Sequence, residues 1–273
     1  MLVGNFEALQ SSFCPPHPVY AGGTEGDPVV LVLHELTGQT PETFALAEKL
    51  IRNRNGNGGY RVFLPCFFGN PNSRVNPLRG AIHCIGAEFR GLSSGKLTPA
   101  MEYVKLLCSK IVENEPTTEL GIIGMCMTGE FALAALTDPK LNIVAPIVAQ
   151  PALPSFCPRK LQLPREELEQ IRTRLKSNNH VILGLRNEHD QIPKTIIRNV
   201  SPSERFETLQ HTFGNQFEGW EVEATEHSTL TSPTGNASLH RFGSPSQKSQ
   251  LPGALELVLD FLDEKLKRLT PQR

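Results

Sequence analysis

Six short apolar stretches punctuate the chain, at residues 29–33, 60–65, 120–124, 143–148, 181–185 and 220–224. Their length and their turn-forming surroundings suit strands rather than helices. Longer segments with helical character lie between them. Residues 41–54 follow Thr40, a good N-cap, and begin with Pro41 at the first helical position. Thr98-Pro99 opens a helix to about residue 113 in the same way. Further helices are expected at 128–136, 165–176, 203–213 and 253–268. Strands alternating with helices predict an α/β protein, with a mostly parallel sheet and helices on both faces. Residues 1–28 carry Pro15, Pro16, Pro18, Gly22, Gly23 and Gly26 and read as a loop-like N-terminal extension. Residues 29–268 read as one domain. Within it, 66–80 reads as an irregular loop, and 231–251 as a mobile surface insertion rich in Ser, Pro, Gly, Asn and Gln.

One junction carries more chemistry than the rest. The apolar run 120–124 meets Gly124-Met125-Cys126-Met127-Thr128-Gly129, and a helix follows at once. A strand, a tight turn and a helix with a nucleophile at the apex form the nucleophile elbow of the α/β-hydrolase fold. The apex residue here is cysteine. Glycines at 124 and 129 remove side chains where strand and helix cross. The helix N-terminus aims its free N–H groups and positive dipole end at the sulfur, which suits an anionic nucleophile. A rival, Gly91-Leu92-Ser93-Ser94-Gly95, matches the serine form of the motif, but no apolar strand precedes it.

That fold dictates where the partners of Cys126 lie. Nucleophile, acid and histidine follow in that chain order, each on a loop after a strand. Asp190 follows the 181–185 strand, with Glu188 as its near rival. His227 follows the 220–224 strand. His211 falls inside a helix, His240 in the polar insertion, His189 before the acid, and His34 and His180 at strand edges. The triad read from the residues is therefore Cys126, His227 and Asp190. Two N–H donors must hold the oxyanion, and the backbones of Met127 and Leu36 stand where they are needed. Gly38 lets the Leu36 turn approach closely.

The formal net charge of −1, without a basic face or an acidic tail, suggests no nucleic-acid or membrane partner. The apolar runs are too short to cross a bilayer, and no signal peptide is visible at the N-terminus. The six cysteines, at 14, 66, 84, 108, 126 and 157, lack metal-ligand spacing. That predicts no metal site and reduced thiols in a cytoplasmic protein.

On the stretches 34–38, 124–129, 185–190, Arg205-Phe206, Phe213-Gly214 and His227-Ser228, the chain resembles the dienelactone hydrolase family. The resemblance implies a Cys–His–Asp triad and cofactor-free hydrolysis of an ester or cyclic lactone. It also gives Glu35 a catalytic part, since the family's glutamate takes part in holding the resting thiol. Two departures stand out. Ser228-Thr229-Leu230-Thr231 replaces the stretch where well-known members carry a carboxylate-binding arginine, and Glu130 replaces a small residue after the elbow. Arg241, in the insertion, is the one cation expected to be able to fold back and substitute.

The expected function is a hydrolase of small carboxylic esters or lactones acting through a cysteine acyl-enzyme. A thioesterase or acyltransferase would use the same triad. A non-catalytic binding protein of the same fold, and a redox-sensing thiol, are the readings from other classes.

Overall fold

The computed structural model describes residues 2–10, 12–52, 58–76, 96–116, 119–152, 161–190, 202–232, 238–243, 248–249 and 253–266. Its central strands are β4 (Val29–Leu33), β5 (Arg61–Pro65), β6 (Glu119–Met125), β7 (Asn142–Ala149), β8 (Ile182–Asn187) and β9 (Phe217–Val222). They run parallel in the order β5-β4-β6-β7-β8-β9. The chain steps outward from β4 to β5 and then crosses back to β6, so the strand order reverses beside β4. In open α/β sheets, sites form at the carboxyl ends of the strands flanking such a reversal.

Helices cover both faces. On one side lie α1 (Pro41–Ile51) and α6 (Ala254–Leu266), packing Phe44, Leu50, Val258 and Leu262 against Val30, Val32 and Ile123. On the other lie α2 (Pro99–Asn114), α3 (Gly129–Ala135), α4 (Arg165–Ser177) and α5 (Pro202–Phe213). They pack Val104, Phe131, Ile171 and Phe206 against the opposite sheet face. A sheet buried on both sides explains why the central strands read as continuous apolar runs. Thr40 caps α1 by accepting the Thr43 N–H, as its position predicts.

Three regions differ from expectation. The N-terminal segment contains strands β1 (Leu2–Val3), β2 (Phe6–Ala8) and β3 (Val19–Gly22), which add antiparallel strands beyond β5. All four β3 residues are buried. The flanking Pro18 and Gly23 hide so short a strand in the sequence. Part of the expected insertion is sheet as well: β10 (Leu239–Arg241) pairs antiparallel with β9, and β11 (Lys248–Ser249) with β10. Of its other residues, 231, 232, 238, 242 and 243 are described, whereas 233–237, 244–247, 250 and 251 lie outside the described residues, as do 77–80 of the expected irregular loop. Finally, β8 runs two residues past its apolar stretch. Arg186 is buried, bonded to Glu221 on β9, and stacks over Phe206 and Phe242. Glu221 in turn meets His240 Nε2 at 3.3 Å. These partners let a charged residue continue a buried strand.

Candidate active site

The turn after β6 is built by close approach. A Cβ on Gly124 would lie 2.4 Å from the Thr128 carbonyl oxygen, so only glycine fits beneath the turn. Cys126 itself takes a left-handed backbone, φ 57°. For a non-glycine residue that conformation costs on the order of 1–3 kcal/mol, and it persists only where the surroundings over-determine it. Here β6 is locked between β4 and β7, and the Thr128 hydroxyl spans the turn. It accepts the Met125 N–H at 2.9 Å and faces the carbonyls of Met125 and Leu33 at 2.8 and 3.1 Å. A single 3-10 turn, Cys126–Thr128, then leads into α3. Cys126 is 9% exposed, with Sγ 4.0 Å from the Ala152 carbonyl oxygen.

The loops after β8 and β9 bring the acid and the histidine together. His227 Nδ1 lies 2.8 Å from Asp190 Oδ2, and the Asp190 side chain is 1% exposed. Glu188, the rival acid, is 36% exposed and turned toward His189. The two loops are stitched to each other. The Glu188 and His189 N–H groups donate to the Val222 and Ala224 carbonyls, and Asn187 Nδ2 donates to the Glu226 carbonyl at 2.7 Å. His227 Nε2 is buried with no hydrogen-bond partner. Burial by itself would strip the His227 proton. The charge of the adjacent Cys126, and the hydrogen bond and charge of Asp190, oppose this and hold the imidazole pKa well above its ordinary 6.5. The structure thus gathers Cys126, His227 and Asp190 at the carboxyl ends of the parallel strands.

The turn after β4 emerges beside the elbow, because Leu33 pairs with Gly124. It holds Glu35 and Leu36, and Gly38 at φ 84° closes it with its N–H on the Glu35 carbonyl. His34, set aside in the sequence as a strand-edge residue, is fully buried and pins this turn. Its Nδ1 lies 2.7 Å from the Glu35 carbonyl, and its Nε2 accepts the Phe67 N–H at 3.1 Å. Nδ1 therefore carries the proton of a neutral ring. Burial, opposed by the Glu35 carbonyl and aided by nearby His17, lowers the His34 pKa to about 4. Leu36 is half-buried against the core, and Met127 is buried within it.

Glu35 is buried, and both its oxygens are occupied. Oε1 accepts from Gln150 Nε2 and Thr231 Oγ1, each at 2.9 Å, and Oε2 accepts from Ser228 Oγ at 2.7 Å. Gln150 Oε1 in turn accepts the Thr229 N–H at 3.1 Å. No bond from Glu35 to Cys126 occurs among the described residues. Ser228 and Thr231, two of the three hydroxyls in the stretch 228–231, are thus spent on Glu35, while Thr229 Oγ1 is buried without a hydrogen-bond partner among the described residues. Gln150 escaped the sequence reading. Its one signal was its place as a polar residue at the carboxyl end of a buried parallel strand.

Arg241 pairs with Glu218 at 2.9 Å and lies over the Trp220 ring. Glu130, after the elbow, is buried against Arg205 at 3.3 Å and accepts the Gln162 N–H. Burial raises its pKa, partly offset by those two groups. Cys66 and Cys108 are buried thiols whose pKa values burial pushes up to about 11 and about 12. Cys84, Cys157 and the rival Gly91–Gly95 motif lie outside the described residues. Among the described residues, no group of three or more His, Cys, Asp or Glu is placed to hold a metal ion. No helix among them is long and apolar enough to cross a membrane.

A parallel sheet whose order reverses beside β4, with a sharp strand-to-helix turn at the end of the next strand inward, defines an α/β-hydrolase. The sequence profile of the dienelactone hydrolase family matches residues 18–192. The chain belongs to that family, and with it to the ester-acting hydrolases. No curated protein matches the chain in sequence. Among solved structures it is similar to carboxyl esterase 2 from the mycorrhizal fungus Tuber melanosporum. The TM-score is 0.55 at 15% identity, over 97% of this chain and 89% of that one. It is also similar to LpqC, a poly(3-hydroxybutyrate) depolymerase from Bordetella parapertussis. There the TM-score is 0.54 at 14% identity, over 94% of each chain. At such identities the likeness speaks for the fold.

Proposed function

We propose that the protein hydrolyses small carboxylic esters or lactones through a thioester on Cys126. The observation that carries this reading is the left-handed Cys126 at the end of β6, beside a half-buried His227 whose Nε2 is buried and whose Nδ1 is bonded to Asp190. His227 Nε2 takes the thiol proton as Sγ bonds to the substrate carbonyl carbon. The backbone N–H groups of Leu36 and Met127 receive the oxyanion. The intermediate collapses, and the leaving alkoxide takes the proton from His227. A water molecule then gives a proton to His227, attacks the thioester, and releases the acid with the thiol restored. Asp190 fixes the imidazole tautomer and stabilises the imidazolium. No cofactor takes part. The family resemblance and the esterases of like fold support this reading.

The preferred substrate is neutral. The loop after His227 offers hydroxyls bonded to Glu35 where a carboxylate would need an arginine, and Arg241 is engaged elsewhere. The four described cysteines are all free thiols, which supports a cytoplasmic place of action.

The test is a panel of small aryl esters, lactones and thioesters assayed with wild type and Cys126→Ala. Turnover of esters or lactones that vanishes in the variant supports the proposal. Faster turnover of thioesters would move the assignment to a thioesterase. A variant as active as wild type would overturn the choice of nucleophile.

A further inference from the structure

We propose that Glu35 is a positioning residue, a fixed strut that holds the His227 loop over Cys126 so that the thiol is armed before substrate arrives. This rests on the Cys126–His227 reading above. It differs from the part the resemblance suggests for this glutamate, which is to hold the resting thiol itself.

The strut joins three loops. Glu35 sits after β4, Gln150 after β7, and Ser228 and Thr231 after β9. Three donors fix the two carboxylate oxygens, and Gln150 passes the constraint on to the Thr229 N–H. Residues 228, 229 and 231, just after His227, are thereby all tied to one buried centre. Before His227, Asn187 holds the Glu226 carbonyl. The histidine is gripped on both sides, while its Nδ1 rests on Asp190.

The chemistry of the donors decides between roles. They are two hydroxyls and a carboxamide, groups that give direction rather than charge. A carboxylate that acted on the thiol would have to leave these bonds, and a buried polar group left unpaired is costly. A carboxylate that serves as an acceptor hub has no reason to move.

The experiment measures alkylation of Cys126 by iodoacetamide without substrate, from pH 5 to 9, reading the Cys126 peptide by mass. Glu35→Ala, Glu35→Gln and the double variant Ser228→Ala/Thr231→Val are compared with wild type. Glu35→Ala and the double variant are expected to slow alkylation at pH 7 and to move its pH profile toward that of an unassisted thiol. Ester turnover should fall with them, kcat by roughly 100-fold for a loop displaced by about 1 Å, with KM little changed. Glu35→Gln should recover most of both, because its carbonyl still accepts and a hydroxyl can turn to accept from its amide. Glu35→Gln as slow as Glu35→Ala would overturn the strut and make the ionised carboxylate itself the working group. A double variant with the wild-type rate and pH profile would also overturn it, and decides the matter if Glu35→Ala does not fold. Fast Cys126 alkylation that is lost in Glu35→Ala and in the double variant and recovered in Glu35→Gln, in a protein that turns over no ester, would sink the hydrolase reading and leave the strut standing.

Discussion

The two halves of the candidate site are held by different forces. The nucleophile half, around the β6–α3 turn, is shaped by backbone geometry and apolar packing. Gly124 lets the chain cross itself, and Cys126 is forced into a left-handed conformation between strands that are almost wholly buried. The acid–base half, around the loops after β8 and β9, is shaped by polar groups. Asn187, Gln150, Glu35, Ser228 and Thr231 join loops that are far apart in the chain. A strained turn in a packed core has one arrangement. A set of loops has many, and needs hydrogen bonds to select one. Mutations in the first half should therefore cost fold as well as function, and mutations in the second mainly function.

The largest effect expected tests the second half. Asp190→Asn should lower kcat by about 10⁴-fold, as loss of the tautomer-fixing acid does in the serine-protease template, while the melting temperature moves little. Glu188→Gln should leave kcat nearly unchanged. Reversed outcomes would mean that the acid lies two residues earlier.

Next in size is a test of the first half. Glu130→Ala removes the carboxylate that pairs with buried Arg205 near the start of the elbow helix. Removing one member of a buried pair costs about 3–5 kcal/mol. Denaturant unfolding should show that loss. Stability unchanged within about 0.5 kcal/mol would contradict the account of the elbow's support.

His34 joins the two kinds of region, and its effect is a matter of pH. Its folded pKa, about 4, lies below the ordinary 6.5, so the unfolded chain binds the extra proton first. The stability it contributes is fully present above pH 6.5 and is lost as pH falls toward 4. The shift corresponds to about 3 kcal/mol. Urea unfolding at pH 7 and pH 4 should show wild type losing about 3 kcal/mol more than His34→Gln over that interval. Equal losses would mean that His34 is not held neutral.

The smallest expected effect concerns substrate charge. Without a bidentate arginine, a carboxylate-bearing ester forgoes a contact worth roughly 1.5–3 kcal/mol. Its kcat/KM should not exceed that of a neutral analogue. A preference of ten-fold or more for the charged analogue would contradict this. If that preference survived Arg241→Ala, the charged partner would have to be sought among other loops.

How much of this was legible in the sequence follows the same division. The elbow was readable because its cause is local. Gly124, Cys126 and Gly129 sit within six consecutive residues, and the apolar strand that feeds them is continuous. Asp190 and His227 were readable through the fold's chain order and their places after strands. His34, Gln150 and the partners of Glu35 were not. Each works through hydrogen bonds to distant segments, such as Phe67 for His34 or Glu35 and Thr229 for Gln150, and no local pattern marks such a pairing. The short flanking strands escaped for another reason. Residues 19–22 and 239–241 are too short and too close to Pro, Gly and Ser to show periodicity, and only the neighbouring strand makes them strands.

The most direct test of the central claim is to catch the acyl group. Wild type mixed with an activated aryl ester and acid-quenched within the first turnover should carry one acyl group on the peptide containing Cys126. The adduct should be lost on hydroxylamine treatment, as a thioester is, and Cys126→Ala should carry none. An acyl group on another residue, or ester turnover that persists undiminished in Cys126→Ala, would contradict the account.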